Sequence, residues 1–97
     1  MRDQAQSAVE HAEALLRHAE AAHRNAEQAV KSTPDSFSEA RDRLLGRVAI
    51  HRAMVAEARD RLERAREALA AIEAEIASAA SAEASRVLRV ATTRSRA

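Results

Sequence analysis

Turn-forming residues are nearly absent from this chain, and those present gather in one place. The 97 residues include one Gly and one Pro, and the only dense group of turn formers is residues 32–36, with the sequence STPDS. A fold with many strands needs many such turns and is therefore excluded. Alanine fills 26 positions, with Glu, Arg and Leu also abundant, and all four are strong helix formers. The sequence predicts an all-α fold of long helices.

The first third of the chain carries a seven-residue repeat. Its position a holds Val9, Leu16, His23 and Val30. Its position d is alanine each time, at Ala5, Ala12, Ala19 and Ala26. Steps of three and four residues that alternate along one helix face are typical of a coiled-coil seam. We therefore predict a first helix over about residues 3–31.

The break that follows contains two alternative signals for the start of a second helix. Thr33 before Pro34 fits an N-cap followed by proline at the first helical position. Ser36 with Glu39 three residues later fits a capping box. Because the connection is short under either alternative, the two helices should be antiparallel neighbours joined by a turn over 32–36.

The second helix, predicted over about residues 37–90, continues the same spacing. Its stripe consists of Phe37, Ala40, Leu44, Val48, His51, Val55, Ala58, Leu62, Ala65, Leu69, Ile72, Ile76 and Ala79. One extra residue enters the pattern near Gly46, where we expect a local bend or a close helix contact or, as the alternative, a break into three helices. The sequence thus predicts a single hairpin domain over 1–90 and a basic, flexible C-terminal tail over 91–97.

The unequal lengths of the two helices lead to a functional hypothesis. Pairing through the turn places Leu16 near His51 and Ala5 near Leu62, where the first helix ends. Apolar side chains farther along the second helix would then lie in water, which is unfavourable by about 1.5–3 kcal/mol for each one. We expect this stripe to bind a partner, either a second copy or a heterologous helical protein, in an oligomeric bundle. The predicted contact residues are Leu62, Leu69, Ile72, Ile76 and Ala79.

The charges of the second helix favour pairing with a second copy. Residues 67–83 contain four Glu and no base, and residues 84–97 contain four Arg and no acid. Antiparallel pairing of two copies centred near Ile76 would lay the acidic block between basic flanks. The predicted function is a non-catalytic protein–protein interaction module, such as an adaptor, an assembly factor or a small chaperone.

Nucleic-acid binding is the first alternative function. Residues 41–66 contain eight Arg and four acids, and arginine side chains can track phosphates. The C-terminal basic residues that could add to this contact are Arg86, Arg89, Arg94 and Arg96. No aromatic residue in either stretch could stack on a base, so this alternative ranks below protein binding.

Metal binding is the second alternative. Glu20 and His23 form a Glu-x-x-His motif on one helix face, but di-iron bundles need two copies of it and two further Glu. We therefore expect no metal and no other cofactor.

The chain shows no signature of catalysis or of a membrane protein. It lacks a glycine-rich phosphate loop and a nucleophile paired with a base, so we expect it not to be an enzyme and to have no small-molecule substrate. Its apolar runs are far shorter than the roughly 20 residues that span a bilayer. We expect a cytoplasmic protein with no membrane span.

Overall fold

Two helices joined by a short turn form the hairpin. The computed structural model describes the backbone of residues 1–96 and the side chains of residues 1–94. Helix α1 is Arg2–Ser32 and helix α2 is Ser38–Arg96, of 31 and 59 residues. The described chain measures 92 × 17 × 14 Å. A 59-residue helix is about 88 Å long, so α2 alone runs the length of the molecule. The predicted all-α hairpin with unequal arms is confirmed.

The turn ends α1 through hydrogen bonds to its last carbonyl groups. The Thr33 N–H donates to the carbonyl of Val30 at 3.2 Å, and the Thr33 hydroxyl donates to the carbonyl of Ala29 at 2.8 Å. Thr33 is extended, with φ −90° and ψ 124°, as expected for a residue that precedes proline. The Phe37 N–H then donates to the Pro34 carbonyl at 3.0 Å, so the turn extends through Phe37.

The start of α2 differs from both predicted signals. Within the described turn, Ser36 and Glu39 form no capping hydrogen bond; instead the Arg41 guanidinium binds the Asp35 carboxylate. Phe37 is 59% exposed and does not open the buried stripe as predicted. The reason is that Phe37 belongs to the turn, beyond the last residue of α1.

The core is a narrow strip between the two helices. Its buried side chains recur every seven residues: Ala12, Ala19 and Ala26 on α1, and Val48, Val55 and Leu62 on α2. Each is between 6% and 9% exposed. The core thus combines small side chains from α1 with larger ones from α2, which allows the two backbones to approach closely.

Helix α2 continues without a break through both predicted weak points. It passes through Gly46, where an added Cβ would meet no atom within 4 Å, so neither a break nor a close contact occurs there. The predicted boundary at residue 90 is also wrong, because α2 continues to Arg96. The hydroxyls of Thr92 and Thr93 each donate to the carbonyl four residues earlier at 2.9 Å. Of the predicted tail, Ala97 lies outside the described residues.

The register of the hairpin differs from the predicted one. The Arg2 guanidinium lies 3.8 Å from the Glu73 carboxylate, and that of Arg66 lies 3.8 Å from the Glu13 carboxylate. Arg2 therefore lies near the level of Glu73, roughly two helical turns farther along α2 than the predicted pairing requires. The prediction counted the pairs outward from Phe37, which belongs to the turn, and α1 covers more of α2 than expected.

Candidate interaction surface

The predicted partner-binding residues divide into buried and exposed members. Leu62 is 6% exposed, within the core formed with α1, and cannot offer a free surface without opening the hairpin. Leu69 and Ile72 are half-buried, whereas Ile76 is 47% exposed. Ala79 is exposed. The free apolar surface therefore starts near Ile76. The prediction that it starts at Leu62 is wrong, because α1 extends farther along α2 than expected and covers Leu62.

The part of α2 from this point onward, residues 76–96, is named the overhang. It extends past the Arg2–Glu73 contact, and its larger apolar side chains are open to solvent. Val87 is 59% exposed, Leu88 is 67% exposed and Val90 is 49% exposed. Together with Ile76, they place apolar side chains at intervals along about 21 Å of helix. Grouped exposed apolar side chains of this kind mark interaction sites.

Acidic and basic side chains divide the outer part of α2. Glu73 and Glu75 lie near the base of the overhang, and both are exposed. Glu83 and Arg86 meet in the middle, with 3.4 Å between carboxylate and guanidinium. Of the predicted nucleic-acid contacts, Arg86, Arg89 and Arg94 are exposed, and the side chain of Arg96 lies outside the described residues. The charge therefore changes sign between Glu83 and Arg86.

The earlier Arg-rich stretch, residues 41–66, is partly engaged within the chain. Arg41 binds Asp35, and Arg66 lies 3.8 Å from Glu13 across the hairpin. Side-chain exposure of Arg66 is 62% and of Glu13 is 39%, so their contact is solvated and contributes little stability. Two of the eight arginines of this stretch are thus engaged by carboxylates of the same chain.

The two histidines of the core strip are half-buried. Nδ1 of His23 lies 3.2 Å from the Glu27 carboxylate, whereas Glu20, its predicted partner in a metal motif, forms no such contact. Nε2 of His23 and Nδ1 of His51 are buried without a hydrogen-bond partner. No group of three metal-ligating side chains occurs in the part of the chain that the structure describes. The metal alternative gains no support from this arrangement.

A second exposed apolar region, absent from the sequence-based prediction, lies along the flank of the hairpin. Leu15 is 36% exposed and Met54 is 49% exposed. They line a shallow groove of about 260 Å³ with Ala12, Ala19, His51 and Ala58. Leu15 directly precedes Leu16, at position a of the seven-residue repeat of α1, and Met54 directly precedes Val55 of the α2 stripe. An apolar residue beside a seam position widens the apolar face of its helix beyond what one partner helix covers. This was the sequence signal for the exposed groove.

Comparisons with known proteins identify no relative. No protein-family model, no curated protein and no solved structure matches the chain.

Among the residues that the structure describes, neither helix is both long and apolar enough to cross a membrane.

Proposed function

We propose that this chain is a non-catalytic protein–protein interaction module. The hairpin acts as a rigid base, and the overhang of α2 is the binding element. One observation carries the proposal: α2 continues past α1 while Ile76, Val87 and Val90 remain 47–59% exposed. Covering such half-exposed side chains with a partner helix would contribute roughly 1 kcal/mol each. The corresponding cellular role is that of an adaptor, an assembly factor or a small chaperone.

The base is proposed to be an antiparallel coiled coil with small-to-large layers. The buried residues recur every seven positions on each helix. When the two helices are aligned antiparallel, Ala12 pairs with Leu62, Ala19 with Val55, and Ala26 with Val48. The same register places Leu69 opposite Ala5, in keeping with the half-burial of both side chains. Each of these four levels joins one alanine to one larger side chain, which allows the two helices to pack closely.

Position-specific photocrosslinking in the native cell tests the proposal. A benzophenone amino acid replaces Ile76 or Val90 on the apolar side of the overhang, and Arg64 on the exposed outer face of the hairpin as a matched control. We expect protein adducts from positions 76 and 90 and none from position 64. Equal adduct yields at all three positions, or no protein adduct at 76 and 90, would contradict an interaction surface on the overhang.

Nucleic-acid binding remains the second candidate, favoured by the exposure of Arg86, Arg89 and Arg94. A complex held by phosphate contacts weakens steeply as salt rises, whereas apolar helix pairing does not. Fluorescence anisotropy with a labelled duplex and a labelled single strand, between 50 and 300 mM salt, separates the two functions. We expect no binding at 150 mM salt; tight binding with a steep salt dependence, lost in Arg89→Glu with Arg94→Glu, would favour this candidate instead.

A further inference from the structure

From Glu73 to Arg96, the outer part of α2 has charge of opposite sign in its two halves. Glu73, Glu75 and Glu83 precede Arg86 in the chain, and Arg89 and Arg94 follow it, with no base between residues 67 and 83 and no acid after residue 83. A helix of this kind is complementary to an antiparallel copy of itself, because each acidic half then faces a basic half. Charge complementarity of this sort selects the partner and the orientation in helix pairs.

We propose that the occupant of the overhang is the overhang of a second copy, paired antiparallel so that Glu83 of each copy lies opposite Arg86 of the other. This inference rests on the proposed function, and it adds the identity of the partner and the register. The resulting assembly is a rod in which the two hairpins lie at opposite ends and the two overhangs form the centre.

The stripe itself selects this register over its neighbours. Continuing the seven-residue spacing from Leu69 places Ile76, Ala79, Glu83, Arg86 and Val90 on one face of the overhang. In the proposed register Ala79 lies opposite Val90 of the second copy, and Glu83 lies opposite Arg86. The small-to-large pairing of the hairpin core is thereby repeated on both sides of the centre.

Sliding the second copy by seven residues removes this match in either direction. One shift places Ile76 opposite Arg86 and Ala79 opposite Glu83, and the other places Arg86 opposite Val90. Each alternative sets a charged side chain against an apolar one, which leaves the charge without its partner when the seam closes. The register with paired charges at the centre avoids this cost at every level.

The position of α1 also moves the centre of pairing away from the predicted one. Pairing centred near Ile76 would lay the second copy over the part of the stripe that includes Leu69. Because α1 reaches the level of Glu73, that part is already half-buried. The free stripe starts only after Ile72, so the centre lies between Glu83 and Arg86 instead.

Disulfide mapping tests the register directly, since the chain contains no cysteine. Purified Ala79→Cys protein is mixed with Val90→Cys protein under mild oxidation at tens of micromolar. We expect a disulfide-linked heterodimer of the two variants and little linkage within either variant alone, because like positions lie about 16 Å apart along the axis. The matched control pairs Ala79→Cys with Leu88→Cys, whose side chain lies away from the seam. Equal yields from the two mixtures would overturn the proposed register.

Charge reversal gives a second, independent test by sedimentation. Glu83→Arg alone places two Arg opposite each other, and we expect at least tenfold weaker self-association with unchanged helical content. The double variant Glu83→Arg with Arg86→Glu restores opposite charges in the same register and should recover the dimer. A Glu83→Arg variant that dimerises like the original chain, or a double variant that stays monomeric, would contradict the inference.

Failure of this inference is distinguishable from failure of the proposed function. If the purified chain is a monomer at 100 µM but photocrosslinking at positions 76 and 90 gives one adduct whose mass exceeds that of two copies, the partner is another protein. The second copy is then excluded while the interaction module stands. Absence of both the dimer and the adduct would contradict both proposals.

Discussion

Helix α2 has a part that α1 covers, before Ile76, and a part from Ile76 onward, the overhang. The two parts are similar in apolar spacing but differ in how their side chains are packed. In the paired part, Val48, Val55 and Leu62 are 6–8% exposed because α1 covers them. At the same spacing farther along, Ile76 is 47% and Val90 is 49% exposed. Within the described chain, no other segment packs on α2 beyond α1, and the stripe of α2 is closely packed only where α1 lies against it.

The two parts also use their charges differently. Along the hairpin, oppositely charged side chains of α1 and α2 lie near each other, as Glu13 and Arg66 show with a separation of 3.8 Å. In the outer part of α2, from Glu73 to Arg96, acids and bases lie on successive segments of one helix. Opposite charges that face each other across a hairpin stabilise contacts within one chain. Opposite charges that lie on separate segments of one free helix favour contacts with a second chain.

The largest contrast is expected from placing a carboxylate in each part. Leu62→Asp removes a buried side chain and leaves a charge without a partner in the core, and we expect a loss of more than about 3 kcal/mol in the free energy of unfolding. Leu88→Asp, on a side chain that is 67% exposed, should change it by less than about 0.5 kcal/mol. Chemical denaturation followed by circular dichroism measures both, at concentrations below self-association. Similar losses for the two variants would show that the overhang is packed as tightly as the hairpin.

An intermediate effect of opposite sign is expected at His51. Its Nδ1 atom is buried without a hydrogen-bond partner, and replacing such a group with an apolar side chain removes the cost of desolvation. We expect His51→Leu to raise the stability of the hairpin by about 1–2 kcal/mol. The matched control is His18→Leu, since His18 is exposed and its replacement should have little effect. A loss of stability in His51→Leu would show that the imidazole has a stabilising partner.

A smaller gain is expected at the single glycine. Gly46 lies inside α2 with open space around its Cα, so Gly46→Ala should stabilise the hairpin by about 0.8–1.0 kcal/mol. For a domain of this size, the increase in melting temperature is about 4–8 °C. In the overhang, the reverse change Ala84→Gly should reduce helical content without moving the melting midpoint, because an unpacked helix end can fray alone. A midpoint lowered equally by Ala84→Gly would mean that both parts unfold as one unit.

Much of the fold follows from local sequence signals, and the register does not. The chain has one Gly and one Pro, and its turn-forming residues gather at 32–36. These two facts suffice to predict two helices and the place of the turn. The register depends on a tertiary match between alanines such as Ala19 on one helix and larger residues such as Val55 on the other. Counting back from the turn missed this match because Phe37 belongs to the turn. The exposed surface was consequently predicted to begin at Leu62, within the core.

The smallest effect concerns the contact that defines this register. A double-mutant cycle with Glu13→Gln and Arg66→Gln isolates the coupling energy of the two side chains, which we expect to be about 0.2–0.5 kcal/mol because both are solvated. The matched cycle pairs Glu13 with Arg59, which lies about two helical turns from Arg66 along α2 and should show no coupling in this register. The predicted pairing of Ala5 with Leu62 would reverse that order, because it shifts α2 by seven residues and places Arg59 where Arg66 lies. The two coupling energies, measured at low salt, therefore discriminate between the two registers, although both are small compared with the free energy of unfolding.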